Sequence, residues 1–320
     1  MKLTKIAVAI ALASASVSIS YAQTTPASFE VGKEYWGVVA TYDDNLKTVK
    51  ATDAWARGWT GNGQLILIID SGIKTDHTDF DGKIKYFIDY TKTGINDNLG
   101  HGTAVAGAAA AAYNGFGAIG VAPGANLAIA KVTNTSGYNF TSAYTSLSWG
   151  ANLGAVVANM SANLGYDTSF KKNMQVINVS NGTYYNQELT TRFKSGYYMN
   201  MTPDALLKAA GPTMVVVVAA GNSGLPYPEM PANLATAVDK NGALVMGGRM
   251  LIVGGYNIST NDIWSGSNKA GTICATIVNG VCGDKYRTSD FYIMAPSVYV
   301  WTTSNTTTTS ANQATGTSFA

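Results

Sequence analysis

Four residues carry the groups that acyl-transfer chemistry needs: a carboxylate at Asp70, an imidazole at His101, an amide at Asn222 and a hydroxyl at Ser318. Asp70 closes the apolar run Gln64 to Ile69 and opens Asp70-Ser71-Gly72. His101 stands between Gly100 and Gly102, at the entrance to an alanine-rich stretch. Asn222 follows Gly221, whose missing side chain lets a ligand approach the backbone at the end of Met214 to Ala220. Ser318 lies in the small-residue turn Gly316-Thr317-Ser318, where its hydroxyl and its own N–H can share one space. Each residue alone has a plainer reading: Asp70 as a turn cap, His101 as a buried structural histidine, Asn222-Ser223-Gly224 as an ordinary turn. The combination is specific. Ser, His and Asp are the parts of acyl-transfer catalysis, and Asn222 adds a neutral amide donor.

Composition narrows the remaining classes. With 320 residues, 46% apolar and only 12% charged, the chain can bury a sizeable core, and disorder is excluded. A net charge of +2 is too small for nucleic-acid binding driven by a basic surface, so no nucleic-acid partner is expected. Two histidines (His77, His101) and two cysteines (Cys274, Cys282) provide no zinc-type cluster, and no metal ligands are assigned.

The catalytic types must be held by something rigid. Gln64 to Ile69 is a β-branched apolar run suited to a strand buried on both faces. Similar runs recur at Leu127–Val132, Val176–Val179, Met214–Ala220, Leu251–Val253 and Phe291–Met294. Between them, Thr103 to Ala112 reads as a tightly packed helix, and Thr202-Pro203-Asp204 opens another that Gly211 closes. Alternation of this kind predicts an α/β fold, a mostly parallel central sheet with helices on both faces. In such sheets functional groups gather at the carboxyl ends of the strands, which is where Asp70 and Asn222 fall. The stretch Thr302 to Ser310 reads as a polar loop, and His77 as a loop residue without catalytic duty.

The first residues have the form of a secretory signal. Lys2 and Lys5 precede an apolar run from Ile6 to about Val17, and Ser20-Tyr21-Ala22 supplies a cleavage site after Ala22. Residues 1–22 are therefore expected to be removed, residues 23–54 to form a short leader, and residues 55–320 to be the folded domain. No segment has the length of a membrane span. Export makes a Cys274–Cys282 disulfide an expectation, with two buried free thiols as the alternative.

These motifs together resemble the subtilisin-like serine endopeptidases, the subtilases, over Trp55 to Ala320. Asp70-Ser71-Gly72, His101-Gly102-Thr103, Asn222 and Gly316-Thr317-Ser318 match the family's aspartate, histidine, oxyanion and nucleophile motifs in the family's chain order. Gly120-Val121-Ala122-Pro123 and Met294-Ala295-Pro296 agree as well. The resemblance implies a three-layer subtilisin-like fold, an Asp70–His101–Ser318 triad, and an oxyanion hole of Asn222 and the Ser318 N–H. It also implies binding of an extended peptide along Ser180 to Gly182 and beside Gly221, with protein or peptide substrates. No cofactor is implied. Structural calcium is common in the family, but no loop here is dense enough in carboxylates to name its ligands.

Departures shape further expectations. Ala104 stands where many relatives have a second histidine. The long separation of His101 from Ser318 suggests insertions near Thr133–Lys172, Thr183–Asn200 and Tyr256–Thr288. Those insertions, the signal and Trp264 to Gly271 resemble subtilase passenger domains of Gram-negative autotransporters, which implies cell-surface or secreted localisation and a C-terminal translocator barrel. Only Phe319 and Ala320 follow the nucleophile, where the family starts a buried helix, so the chain is expected to be an inactive fragment of a longer product. Two competing readings are a surface adhesin that keeps the fold without turnover, and a Ser-Glu-Asp peptidase, against which His101 argues.

Overall fold

The computed structural model describes residues 44–138, 140–161, 209–229, 231–236, 243–271, 277–278, 281–282 and 286–320. Two short helices, α1 (Asp44–Thr48) and α2 (Ala51–Trp55), come first. They are followed by β1 (Leu65–Asp70), β2 (Ile84–Asp89), helix α3 (His101–Ala110) and β3 (Asn126–Lys131). A small hairpin, β4 (Thr133–Asn134) and β5 (Gly137–Tyr138), leads to α4 (Phe140–Asn152). Then come β6 (Val157–Met160), β7 (Val215–Ala219), β8 (Met250–Asn257) and β9 (Asp262–Ile263). The minor pair β10 (Ile277–Val278) and β11 (Val281–Cys282) precedes β12 (Tyr292–Pro296) and the hairpin β13 (Val300–Thr303) and β14 (Ala311–Ala314).

The central sheet runs β2-β3-β1-β6-β7-β8-β12, every neighbouring pair parallel, with β9 antiparallel to β8. Strand β1 shows why its sequence is apolar throughout. Leu65, Leu67 and Ile69 enter one core with Ala143, Tyr144 and Leu147 of α4, while Ile66 and Ile68 face the other with Val105, Ala106 and Ala110 of α3. Successive strand side chains point to opposite faces, so a strand covered on both sides has no polar face to show. The predicted α/β architecture of three layers is the one observed.

Two expectations are corrected. Residues 133–172 were expected to hold an insertion, yet α4 and β6 belong to the body of the fold, and β6 pairs with both β1 and β7. Its four residues are too few, and too weakly β-branched, to stand out as a strand. The stretch from Thr302 is likewise no simple polar loop. Thr302 and Thr303 are buried in β13, where the Thr302 hydroxyl donates to the Ala104 carbonyl and the Thr303 hydroxyl to Asp79 Oδ2 at 2.6 Å. Gly107 makes that contact between α3 and β13 feasible, since a Cβ there would lie 2.5 Å from Thr302 Oγ1. His77 is fully buried, with Nδ1 accepting from the Asp79 N–H at 3.1 Å and Nε2 at 2.9 Å from the Ser310 carbonyl.

The predicted strand Val176–Val179, the helix opening at Thr202, the signal and most of the leader lie outside the described residues. Within residues 44–55, Leu46, Ala51 and Trp55 pack with Ile119, and the Trp55 indole donates to the Val121 carbonyl at 2.9 Å. Among the described residues no helix is long and apolar enough to cross a membrane.

Candidate active site

β1 leaves Asp70 at the carboxyl edge of the sheet, and α3 begins with His101 directly above it. Gly102 permits this approach. A Cβ at that position would lie 2.3 Å from the Gly72 carbonyl oxygen and 3.1 Å from the Asp70 Cβ. The result is an imidazole seated on a carboxylate: His101 Nδ1 is 2.8 Å from Asp70 Oδ1 and 3.0 Å from Oδ2. Asp70 is 1% exposed and also accepts from the Ser71 N–H at 2.7 Å. The carboxylate holds the proton on Nδ1 and leaves Nε2 as the basic nitrogen. The Asp70 charge raises the His101 pKa above the ordinary value; burial opposes the rise, and Asp97 adds to it.

Asp97 is a residue that sequence reasoning missed. Buried between the two motifs, its Oδ1 accepts from the Ser71 hydroxyl at 2.8 Å and from the N–H groups of Leu99 and Gly100 at 3.1 and 2.9 Å. Its Oδ2 accepts from the Thr103 N–H and hydroxyl at 2.8 and 2.7 Å. The Ser71 hydroxyl in turn accepts from the Gly102 N–H at 2.9 Å. One carboxylate thus caps α3 and ties it to the residue beside Asp70. Fully buried Lys131, whose register partner in β1 is Asp70, donates to the carbonyls of Gly94 and Asn96 and so fixes the loop leading to Asp97. The only sequence signal was a carboxylate four residues ahead of the histidine in a turn-rich segment.

Ser318 lies in a single 3₁₀ turn, Thr317–Phe319, and is 7% exposed. Its hydroxyl donates to the Ser161 carbonyl at 2.9 Å, not to the imidazole, and the Ser161 hydroxyl shares its hydrogen between Asn159 Oδ1 at 2.8 Å and the Ser318 carbonyl at 3.1 Å. Phe319 places its ring 5.5 Å from the His101 ring. Ser161 follows β6 directly, and no apolar run in the sequence marks either that short strand or the residue it delivers.

Asn222 follows β7 and stands at the solvent-facing edge of the site. Its Oδ1 accepts from the Thr317 N–H at 2.8 Å and the Thr317 hydroxyl at 2.9 Å, which commits the carboxamide oxygen and turns Nδ2 outward as the free donor. The Gly221 N–H donates to Thr317 Oγ1 at 3.2 Å. Gly221 has φ +114°, and the space its side chain would fill holds Asn268 Nδ2 and Glu229 Oε2. The structure therefore brings Asp70 and His101 into contact and sets Asn222 against the residue preceding Ser318. Ser180, Gly182 and Cys274 lie outside the described residues, as does the side chain of Cys282. Among the described residues no three His, Cys, Asp or Glu side chains cluster to hold a metal ion.

The sequence is similar to known proteins. Alkaline elastase YaB of Bacillus sp. (strain YaB) is 32% identical over 196 residues, 60% of this chain and 43% of that protein. Subtilisin Savinase of Lederbergia lenta is 38% identical over 117 residues, 36% of this chain and 43% of that protein. Minor extracellular protease Epr of Bacillus subtilis (strain 168) is 30% identical over 181 residues, 56% of this chain and 23% of that protein. The chain thus spans less than half the length of these relatives. Residues 61–320 match the subtilase family of peptidase S8, and on that match the chain belongs to the subtilase family.

Proposed function

We propose that the chain is the catalytic unit of a serine endopeptidase that cleaves protein or peptide substrates through an acyl-enzyme on Ser318. The observation that carries this reading is the 2.8 Å bond between His101 Nδ1 and buried Asp70, which fixes the imidazole in the tautomer a general base requires. In the reaction the Ser318 hydroxyl turns from the Ser161 carbonyl toward His101. The Oγ–carbon bond forms as Nε2 takes the hydroxyl proton. The same proton then passes to the leaving amine as the peptide C–N bond breaks. Water repeats the sequence to release the acyl group and restore Ser318. Asp70 stabilises the imidazolium throughout. Asn222 Nδ2 and the Ser318 N–H hold the oxyanion, a placement supported by the two Thr317 bonds that leave only Nδ2 to donate outward.

An extended substrate strand would run along the chain that leaves β6 at Ser161, beside Ser318 and Gly221, with Ser180 to Gly182 as the further segment assigned from the family pattern. Export follows from the signal-like residues 1–22 and fits the extracellular relative named above. Continuation into a surface-displayed autotransporter product with a translocator barrel is part of the same reading.

A fluorophosphonate probe tests it in protein expressed from the complete reading frame. Wild type should label covalently, Ser318→Ala should not, and His101→Ala should label far more slowly. Equal labelling of wild type and Ser318→Ala overturns the assignment.

A further inference from the structure

The loop that carries Asn222 is fastened by a side chain with no place in the reaction just described. Asn268 is fully buried and enters that loop from the segment after β9. Its Nδ2 donates to the Ala220 carbonyl at 3.2 Å, and its Oδ1 accepts from the N–H groups of Ser223 at 3.1 Å and Leu225 at 2.9 Å. Its own N–H donates to the Gly221 carbonyl at 2.9 Å. These bonds fall on both sides of Asn222. Two backbone bonds, Gly224 N–H to the Gly266 carbonyl at 2.9 Å and Lys269 N–H to the Leu225 carbonyl at 2.8 Å, continue the seam.

The far side of Asn268 is anchored to the sheet. Tyr292 of β12 donates its hydroxyl to the Asn268 carbonyl at 2.6 Å, and Gly255 of β8 donates to the neighbouring Ser267 hydroxyl at 2.8 Å. Gly221 is the complement to this arrangement, since a Cβ there would sit 2.3 Å from Asn268 Nδ2. An oxyanion donor works by being fixed before charge develops, and that requires a rigid support behind it. Asn222 is exposed, and its outward Nδ2 can be held only through its backbone and the Thr317 contact.

We propose that Asn268 is a positioning residue for the oxyanion site, acting on transition-state stabilisation through Asn222 and touching no substrate itself. The proposal rests on the endopeptidase reading and names a residue that the reading does not contain. A double-mutant cycle in the complete protein tests it, with kcat and KM measured on a chromogenic peptide anilide. Asn222→Ala should lower kcat by about 10²- to 10³-fold, the range known for such a donor from the subtilisin family itself. Asn268→Ala should lower kcat by about tenfold or more and leave KM within about threefold. In the Asn222→Ala background the same substitution should change kcat by less than about twofold, because the group it positions is gone.

Asn268→Asp keeps the acceptor oxygen and the shape, so it is carried through the same cycle and stands in wherever the alanine variant does not fold. Losses that multiply in the double variant overturn the proposal while leaving the oxyanion assignment intact. An Asn222→Ala enzyme with unchanged kcat overturns the oxyanion assignment, and the role of Asn268 with it.

Discussion

Ser318 and Ser161 lie against each other: the Ser318 hydroxyl donates to the Ser161 carbonyl at 2.9 Å, and the Ser161 hydroxyl shares its one hydrogen between Asn159 Oδ1 at 2.8 Å and the Ser318 carbonyl at 3.1 Å. The residue proposed as nucleophile is thereby fastened to the end of β6, the strand next to the one that ends in Asp70. Ser161→Ala removes the shared bond and spares the carbonyl that receives Ser318. The expected outcome is a loss of about 1 kcal/mol in chemical denaturation, with fluorophosphonate labelling retained. Abolished labelling in a folded Ser161→Ala protein would show instead that the Ser161 hydroxyl takes part directly.

Asp97 links the two halves of the His–Asp pair, and its negative charge helps hold the His101 pKa up. Asp97→Asn should lower kcat/KM by up to about 100-fold through displaced geometry. Removing the charge lowers the His101 pKa, so the neutral base persists to more acid conditions. The acid limb of the kcat/KM profile should therefore move down in pH. A limb that stays in place, or moves up, contradicts the assignment.

Gly102→Ala drives a methyl group into the Gly72 carbonyl, 2.3 Å away, and backbone on both sides prevents easy relief. Overpacking of this kind costs about 1–3 kcal/mol. The thermal midpoint should fall, and labelling of Ser318 should slow with it as His101 is pushed off Asp70. Gly82, where a Cβ meets nothing within 4 Å but φ is +66°, serves as a comparison that tests backbone strain without the collision.

Lys83 is buried, donates to the Pro123 carbonyl at 2.6 Å, and has its pKa lowered by burial from 10.5 to about 8, against the opposing pull of Asp79. Between those two values the unfolded chain holds more protons than the folded one, so this group makes stability rise with pH from about 8 to about 10.5. Below that window its buried charge is a constant cost. Lys83→Met should remove the rise, which denaturation midpoints at pH 7, 9 and 10 will read. A variant whose alkaline profile parallels wild type would contradict the buried-ammonium account.

What could be read from the sequence follows from where the information sits. β1, β3, β7 and β8 are buried strands, and their apolar runs announce them without any knowledge of neighbours; β12 shows such a run although it lies at the sheet edge with Ile293 and Met294 exposed. Edge strand β2, with Lys85, Tyr86 and Phe87 exposed, has no such run, and β6 is four residues long. Asp70, His101, Asn222 and Ser318 were legible because each sits among glycines or small residues at an element boundary. Ser161 and Asn268 were not, because they bond to groups far away in the chain, and Asp97 was not, because its tie to Ser71 spans 26 residues and its nearer bonds lie in an unpatterned turn. No local pattern pairs Asn268 with Gly221. The buried threonines Thr302 and Thr303 were misjudged for a related reason: polarity in the sequence says nothing about whether a partner such as Asp79 awaits in space.

Helix α3 is fastened at its first turn to Asp97 and along its length, at Ala104 and Gly107, to the hairpin that runs on into Gly316 and Ser318. One stiff strut therefore bears the imidazole while its far anchorage steers the alcohol. Loosening that anchorage would disturb the imidazole and the hydroxyl together, so their placements are not independent variables of this fold.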